Sequence, residues 1–100
     1  MSRFRVTPRA RRDLDAMADY SLAAWGDRQT EKYLGELEQR FRFLAHNPHV
    51  GRARDEIGEG YRSSTHGAHV IFYIINGAEI AIIGIPHGAM DVEAYFGRQE

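Results

Sequence analysis

The sequence of 100 residues contains no cysteine, and this absence excludes several kinds of chemistry at once. Without cysteine the chain has no disulfide framework and no thiolate nucleophile. Zinc would have to rely on histidine and carboxylate ligands, but the closely spaced pairs His46/His49 and His66/His69 are each interrupted by a proline or a glycine. The glycine-rich stretch around Gly58 precedes a predicted strand instead of a helix, so it is no phosphate cradle. We therefore expect neither a metal nor another cofactor.

Long hydrophobic runs are also missing. No apolar stretch approaches the roughly 20 residues that a membrane span needs, and no apolar segment follows the basic start of the chain as a secretion signal requires. Linkers, repeats and low-complexity segments are not found either. The sequence therefore predicts a single domain over residues 1–100, located in the cytoplasm, with no membrane contact.

Lysine is scarce: Lys32 is the single lysine among thirteen basic residues, and the others are arginines. Arginine suits planar, bidentate contacts with carboxylates or phosphates, although a genome with arginine-rich codon usage explains the same bias equally well. The formal net charge is −1, so the chain as a whole does not attract nucleic acid. We expect no direct, specific DNA binding.

The N-terminal segment predicts a short strand followed by an amphipathic helix. Residues 3–6 alternate polar and apolar side chains, and Thr7-Pro8 then offers an N-cap and a first helical residue. Apolar side chains recur every three or four residues as far as Trp25, which we expect to be a core anchor, and Gly26 ends the helix.

A second amphipathic helix follows after a very short join. Asp27 is its predicted N-cap, and Asn47-Pro48 ends it. Two helices joined in this way are expected to form an antiparallel hairpin. The next segment, residues 49–59, has no usable period and is predicted to be a loop.

The second half of the chain predicts an antiparallel meander. Three β-rich runs cover residues 61–65, 69–75 and 79–86. They are separated by His66-Gly67 and by Asn76-Gly77, the second of which is a strong hairpin signal. The last ten or so residues are compatible with a short helix or an extended tail.

The predicted strands are apolar on both faces, at residues 70–75 and 80–83. Two helices can cover only one face of a sheet. The other face must lie under the C-terminal tail or against another chain, because monomers seldom expose large contiguous apolar patches. The pattern is equally compatible with the C-terminal tail and with another chain as the cover of this face.

Taken together, these features resemble the RelE/ParE toxin superfamily, and its ParE branch in particular. The order and spacing of several short motifs carry the resemblance over nearly the whole chain. The motifs are Tyr20 and Trp25-Gly26; Tyr33, Leu37 and Phe41; Asn47-Pro48 and Gly51-Arg52; Gly60-Tyr61-Arg62; His69-Val70-Ile71-Phe72-Tyr73; and Ile82 to Ile85 with His87 and Met90-Asp91.

The resemblance implies an α+β fold of order β-α-α-β-β-β, with an N-terminal strand and an antiparallel helix hairpin packed on a twisted antiparallel sheet. It also implies the toxin of a type II toxin–antitoxin system, neutralised by a cognate ParD-like antitoxin. ParE-like toxins are described as inhibitors of DNA gyrase, and RelE-like toxins cut messenger RNA on the ribosome. We expect the gyrase-binding function, with the ribosome-dependent endoribonuclease as the alternative.

The nuclease alternative needs an acid, a base and positive charge close to the scissile phosphate. The candidate residues for such a site are Arg52, Arg54, Arg62 and His87. No lysine lies near them in the sequence, and Gly88-Ala89 follow His87 where a ribonuclease would need polar groups. A protein-binding inhibitor is therefore the preferred reading, with no catalytic residue assigned.

An inhibitor needs contact surfaces instead of a reactive centre. The candidates for target binding are Arg62, His87, Met90, Asp91, Tyr95 and Phe96. The candidates for antitoxin binding, in a groove between the helix pair and the sheet, are Leu34, Leu37, Phe41, Ile71, Tyr73 and Ile75. The family often carries a basic residue where this chain has Gly88-Ala89, so a homologue that binds antitoxin but has weak toxicity is a further alternative.

Overall fold

The computed structural model describes residues 3–97 and consists of five strands and three helices within that range. A short 3-10 turn at Pro48–Val50 follows the second helix. The elements are β1 Arg3–Val6, α1 Pro8–Trp25, α2 Asp27–His46, β2 Arg52–Ala53, β3 Arg62–His66, β4 His69–Asn76, β5 Glu79–Gly84 and α3 Val92–Gly97.

The five strands form one sheet in the order β1-β5-β4-β3-β2. The predicted antiparallel meander of β3, β4 and β5 is confirmed, as is the α+β class. The first strand, however, joins β5 in parallel, so the sheet is mixed. A parallel neighbour needs a long crossover connection, and the helix hairpin with the rest of the meander supplies it.

The start of α1 is built as predicted. The Thr7 hydroxyl accepts a hydrogen bond from the Ala10 amide (3.4 Å) and donates one to the Ile82 carbonyl (3.0 Å). Thr7 therefore caps the helix and also fixes it to β5, while Pro8 occupies the first helical position, where a missing N–H costs nothing.

The join between the helices differs by one residue from the prediction. Gly26, with φ of 90°, ends α1 and also serves as the N-cap of α2, so Asp27 is the first helical residue and not the cap. The Gly26 carbonyl accepts hydrogen bonds from the Thr30 amide (3.2 Å) and hydroxyl (2.8 Å). The bond from the Thr30 amide is the first backbone bond of α2, and the N-cap Gly26 provides no side-chain cap.

The core lies between the helix hairpin and one face of the sheet. Its buried members are Ala10, Met17, Leu37, Phe41, Leu44, Ala45, Ile71, Tyr73, Ile80, Ile82 and Ile85. The periodic apolar positions of both helices thus meet the alternate positions of β4 and β5, as the two periods require. Among residues 3–97 no helix is both long and apolar enough to cross a membrane.

The opposite face of the sheet is covered by the chain's own residues. Phe72 is fully buried beneath Phe96 of α3, with ring centroids 5.1 Å apart, and beneath the Arg54 guanidinium at 5.3 Å. Of the two forms expected for the tail, the short helix is correct. Of the two expected covers, the tail is the one present, so the sheet alone gives no reason to require a second chain.

The loops contain two further corrections. The predicted loop over residues 49–59 includes the two-residue strand β2, which pairs with β3. The hairpin turns are Gly67-Ala68 and Gly77-Ala78, each one residue later than predicted. Gly67 and Gly77 have φ of 58° and 64°, as expected for a tight hairpin whose first central residue needs positive φ.

Candidate protein-docking groove

A groove of about 630 Å³ lies between the end of the helix hairpin and the end of the sheet. Its walls come from α1, the start of α2, the β3–β4 turn and the segment after β5. We call it the aromatic groove, and its lining residues are Asp13, Ala16, Met17, Tyr20, Ser21, Trp25, Gln29, Tyr33, Ala68, His69, Ile85, Pro86, His87 and Met90.

Large side chains on the walls of the aromatic groove are exposed. Tyr20 is 69% exposed, Trp25 is 65% exposed and Met90 is 48% exposed. The prediction that Trp25 anchors the core is therefore wrong. Met17 is the last buried residue of α1, so the apolar stripe continues beyond the buried part of the helix to Trp25, its last residue.

Two histidines, one at the start of β4 and one in the segment after β5, form the polar end of this groove. His69 and His87 are paired by an isolated bridge, with their rings 5.5 Å apart. The Tyr33 hydroxyl lies 2.9 Å from Nδ1 of His69. Burial, followed by the neighbouring His87, lowers the pKa of His69 below its usual 6.5, and burial and Glu36 raise the pKa of Tyr33. The lowered pKa favours the neutral form of His69.

The segment after β5 is held in a defined turn that places Met90 on the groove. The Ala89 amide donates to Nδ1 of His87 (3.1 Å), and the Met90 amide donates to the His87 carbonyl (3.0 Å). Gly88 donates its N–H to the Ala68 carbonyl at 2.7 Å. Within the predicted target-binding set, His87 and Met90 are thus brought together on one open surface.

The other predicted target-binding residues at this end serve the chain itself. Asp91 caps α3 by accepting a hydrogen bond from the Ala94 amide (3.2 Å). The Tyr95 hydroxyl donates to the Asp13 carboxylate, and Phe96 is only 9% exposed. Burial and the hydrogen bond to Asp13 raise the pKa of Tyr95. Tyr95 and Phe96 thus attach α3 to the fold, and their contact with a target stays a prediction.

The four nuclease candidates do not converge. Arg62 donates to the carbonyls of His49 (3.0 Å) and Gly51 (2.8 Å), and so holds the loop that follows α2. Arg62 lies opposite Tyr73 on β4, whereas His87 lies opposite His69. Four residues of strand separate these two positions, which is roughly 13 Å.

The remaining nuclease candidates lie with Arg62, away from His87. Arg54 is paired with Glu56 (2.8 Å), donates to the Ser63 hydroxyl (3.2 Å) and lies over Phe72. Arg52 is exposed on β2. Both arginines lie near the Glu56 carboxylate and not near His87, so the four candidates do not form one site.

The predicted antitoxin-binding residues lie between the helix pair and the sheet, but most are inside the core. Leu37, Phe41, Ile71 and Tyr73 are buried, so a partner cannot reach them unless the helices separate from the sheet. Leu34 and Ile75 are partly exposed. Leu34, Leu37 and Phe41 line a second groove of about 400 Å³ beside β1. Three of the six predicted residues are therefore brought together at a helix–sheet groove, although Leu37 and Phe41 expose little of their surface there.

Within the described range no three His, Asp or Glu side chains come together as ligands for a metal ion. The rings of His66 and His69 contact Tyr33, and the ring of His69 also contacts His87.

Comparison with known proteins identifies the family. Residues 4–92 match the model of the ParE toxin of type II toxin–antitoxin systems (parDE). The chain belongs to the ParE toxin family. It is 39% identical over 93 residues to Toxin ParE1 of Mycobacterium tuberculosis, covering 92% of this chain and 95% of that protein. It is 34% identical over 97 residues to Toxin ParE1 of Caulobacter vibrioides, covering 97% and 100%.

Solved structures of ParE and RelE systems share the fold of this ParE-family chain. One is a chromosomal ParDE toxin–antitoxin system from P. aeruginosa, with a TM-score of 0.74 and 24% identity over 87% of this chain and 96% of that one. Another is the toxin–antitoxin complex RelBE2 from Mycobacterium tuberculosis, with a TM-score of 0.58 and 26% identity over 89% and 93%. The predicted superfamily and its ParE branch are confirmed.

Proposed function

We propose that this ParE-family toxin acts by binding and inhibiting DNA gyrase, and that a ParD-like antitoxin neutralises it. Its activity is protein binding and not catalysis. The observation that supports this most directly is that Tyr20, Trp25 and Met90, all exposed, line a single groove. Aromatic residues and methionine are enriched in protein interfaces, where a few such side chains carry most of the binding energy.

The position of the aromatic groove suggests how neutralisation works. Solved relatives of this chain are toxin–antitoxin complexes. An amphipathic helix laid between the hairpin and the sheet end would contact Tyr20 and Trp25 with its i, i+3 and i+4 side chains. The same helix would cover His87 and Met90, the open pair of the target-binding candidates. Antitoxin binding would thus hide the surface that the target needs.

Gyrase inhibition is tested with purified gyrase on relaxed plasmid. We expect the chain to block supercoiling and Met90→Ala to raise the inhibitory concentration by about fivefold or more, the usual effect of losing an interface anchor. The matched control is Leu22→Ala, which removes a 45% exposed apolar side chain outside the groove and should change nothing. Unimpaired supercoiling at saturating toxin contradicts the proposal.

The endoribonuclease alternative is tested by primer extension on translated messages. The separation of Arg62 from His87 leads us to expect no cleavage. Cleavage that depends on translation and is lost in His87→Ala would instead favour the nuclease function.

A third candidate is a homologue that binds antitoxin but is weakly toxic, and the Gly88-Ala89 pair supports it. The family often has a basic residue here, whereas Gly88 lies tight against the Ala68 carbonyl. Normal growth on expression without antitoxin would favour this candidate over gyrase inhibition.

The proposed partners also define the setting. We propose that the chain works in the cytoplasm, where gyrase acts, without cofactor and without membrane contact. Its net charge of −1 gives no sequence-independent attraction to DNA, so we propose no specific DNA contact by this chain itself.

A further inference from the structure

We infer that the aromatic groove recognises a partner segment in which one basic side chain, Lys or Arg, stands among apolar ones, and that this cation pairs with Asp13. The inference rests on the proposed function, since it names the chemistry of the protein segment that docks in this groove. Three observations support it: the charge of the lining, the bonding of Asp13 and the nature of the walls.

The lining of the aromatic groove carries a single formal charge. Asp13 is an acidic residue, and no other lining residue is Asp, Glu, Lys or Arg. His69 does not balance the charge of Asp13, because burial and the neighbouring His87 lower the pKa of His69 and so favour its neutral form. An occupant that is wholly apolar or acidic would therefore bury a carboxylate without an opposite charge, which is costly.

The Asp13 carboxylate is held in place without being neutralised. Its Oδ2 atom accepts hydrogen bonds from the Ile85 amide (2.8 Å) and from the Tyr95 hydroxyl. Among residues 3–97 it takes part in no ion pair, and no hydrogen bond reaches its Oδ1 atom. The carboxylate is thus pre-oriented and half-buried, and a charge-assisted hydrogen bond to Oδ1 would cost it no reorganisation.

The walls of the groove suit the rest of a basic side chain. Tyr20, Trp25 and Tyr33 present aromatic surface along which the methylene stem of Lys or Arg can lie, and aromatic faces attract cations. The second groove differs, because both basic and acidic side chains line it, namely Arg11, Asp15 and Glu38. Of these two grooves, only the aromatic groove has an acidic residue and no Lys or Arg in its lining.

The test uses two small probes on the full chain, hexylguanidinium and its neutral analogue hexylurea. Both offer the same apolar body, and only one carries a charge. Trp25 is the single tryptophan of the chain, so its fluorescence reports binding at this groove. We expect hexylguanidinium to bind about tenfold more tightly, which corresponds to about 1.4 kcal/mol, and to shift the backbone amide NMR signals of Asp13, Ala16 and Met90.

Two variants assign the selectivity to Asp13. In Asp13→Asn we expect both probes to bind equally, with the fold retained because the amide oxygen can still accept the Ile85 bond. Ala16→Arg is the second variant: position 16 is exposed and one turn from Asp13, so the new guanidinium should pair with the carboxylate and abolish the preference even if Asp13→Asn fails to fold. Asp15→Asn, an exposed carboxylate outside this groove, is the control and should leave the preference intact.

The outcomes separate this inference from the proposed function. Equal binding of the two probes to the unmodified chain overturns the inference, as does the failure of both to bind, or binding of hexylguanidinium without any shift at Asp13 and Trp25. None of these results bears on gyrase inhibition. Conversely, a tenfold preference that Asp13→Asn removes would stand even if supercoiling were unaffected, and then the proposed target alone would fall.

Discussion

Two regions along strand β4 show how polar residues take opposite roles. In the middle of the strand, which we call the enclosed region, Tyr73 is fully buried, with its hydroxyl donating to the Pro48 carbonyl (2.7 Å) and accepting from the Gly51 amide (3.0 Å). At the first residue of the strand, which we call the open end, His69 lines an open groove together with Tyr33. The Tyr73 hydroxyl is used by the chain's own backbone, whereas His69 and Tyr33 line a surface that is accessible to a partner. Burial, and not residue type, separates the two regions.

The largest change in stability is expected in the enclosed region, where Phe96 covers Phe72. Phe96→Ala should lower the free energy of unfolding by about 3 kcal/mol, the usual cost of removing a buried phenylalanine ring. Urea denaturation measures it. Phe43→Ala is the matched control: Phe43 is 42% exposed and stacks on Arg40, so its loss should cost below about 1 kcal/mol. Equal losses would mean that α3 does not seal the sheet.

A smaller loss of stability is expected when the Tyr73 hydroxyl is removed from the enclosed region. Tyr73→Phe leaves the Gly51 amide and the Pro48 carbonyl without a partner, which should cost about 1–3 kcal/mol. Tyr20→Phe removes an exposed hydroxyl from the aromatic groove and should stay within about 0.5 kcal/mol of the unmodified chain. Thermal unfolding of the two variants side by side is the measurement. A Tyr73→Phe variant as stable as the unmodified chain would show that the two hydrogen bonds of this hydroxyl do not stabilise the enclosed region.

The smallest effect expected is the pH dependence of stability that arises from His69 at the open end. His69 has a pKa below its usual 6.5, so the unfolded chain binds its proton first as pH falls. Stability should be full above pH 6.5 and decline between that value and the lower folded-state pKa. His69→Gln should flatten the decline in melting temperature, whereas His46→Gln, at an exposed helix end, should not. If His69→Gln leaves the pH profile of the melting temperature unchanged, His69 does not cause the loss of stability at low pH.

Local signals predicted most of the fold because they act over a few residues. Thr7-Pro8, Gly26 and Asn47-Pro48 stand at helix boundaries, and the meander follows from its glycine turns. The parallel pairing of β1 was not predictable in this way, because no short-range signal tells a first strand which distant edge it joins.

The candidate site was harder to predict than the fold. Helical periodicity shows which face Trp25 shares with the core stripe, but not whether the sheet extends beneath it. In the same way, the apolar residues Tyr95 and Phe96 look alike whether a tail docks on its own sheet or on another protein. His87 and Met90 are predicted from the resemblance, whereas Asp13 is not predicted, because its surroundings arise from residues more than seventy positions away in the chain.

The pairing of β1 with β5 also limits when the sheet can form during translation. Arg3 aligns with Glu79, so the strand made first on the ribosome waits for the strand made last. Residues 85–90, which form one wall of the groove, emerge later still. Such distant pairing closes late. We expect a polypeptide that is truncated before residue 79 to lack both the β1–β5 pairing and the groove wall formed by residues 85–90.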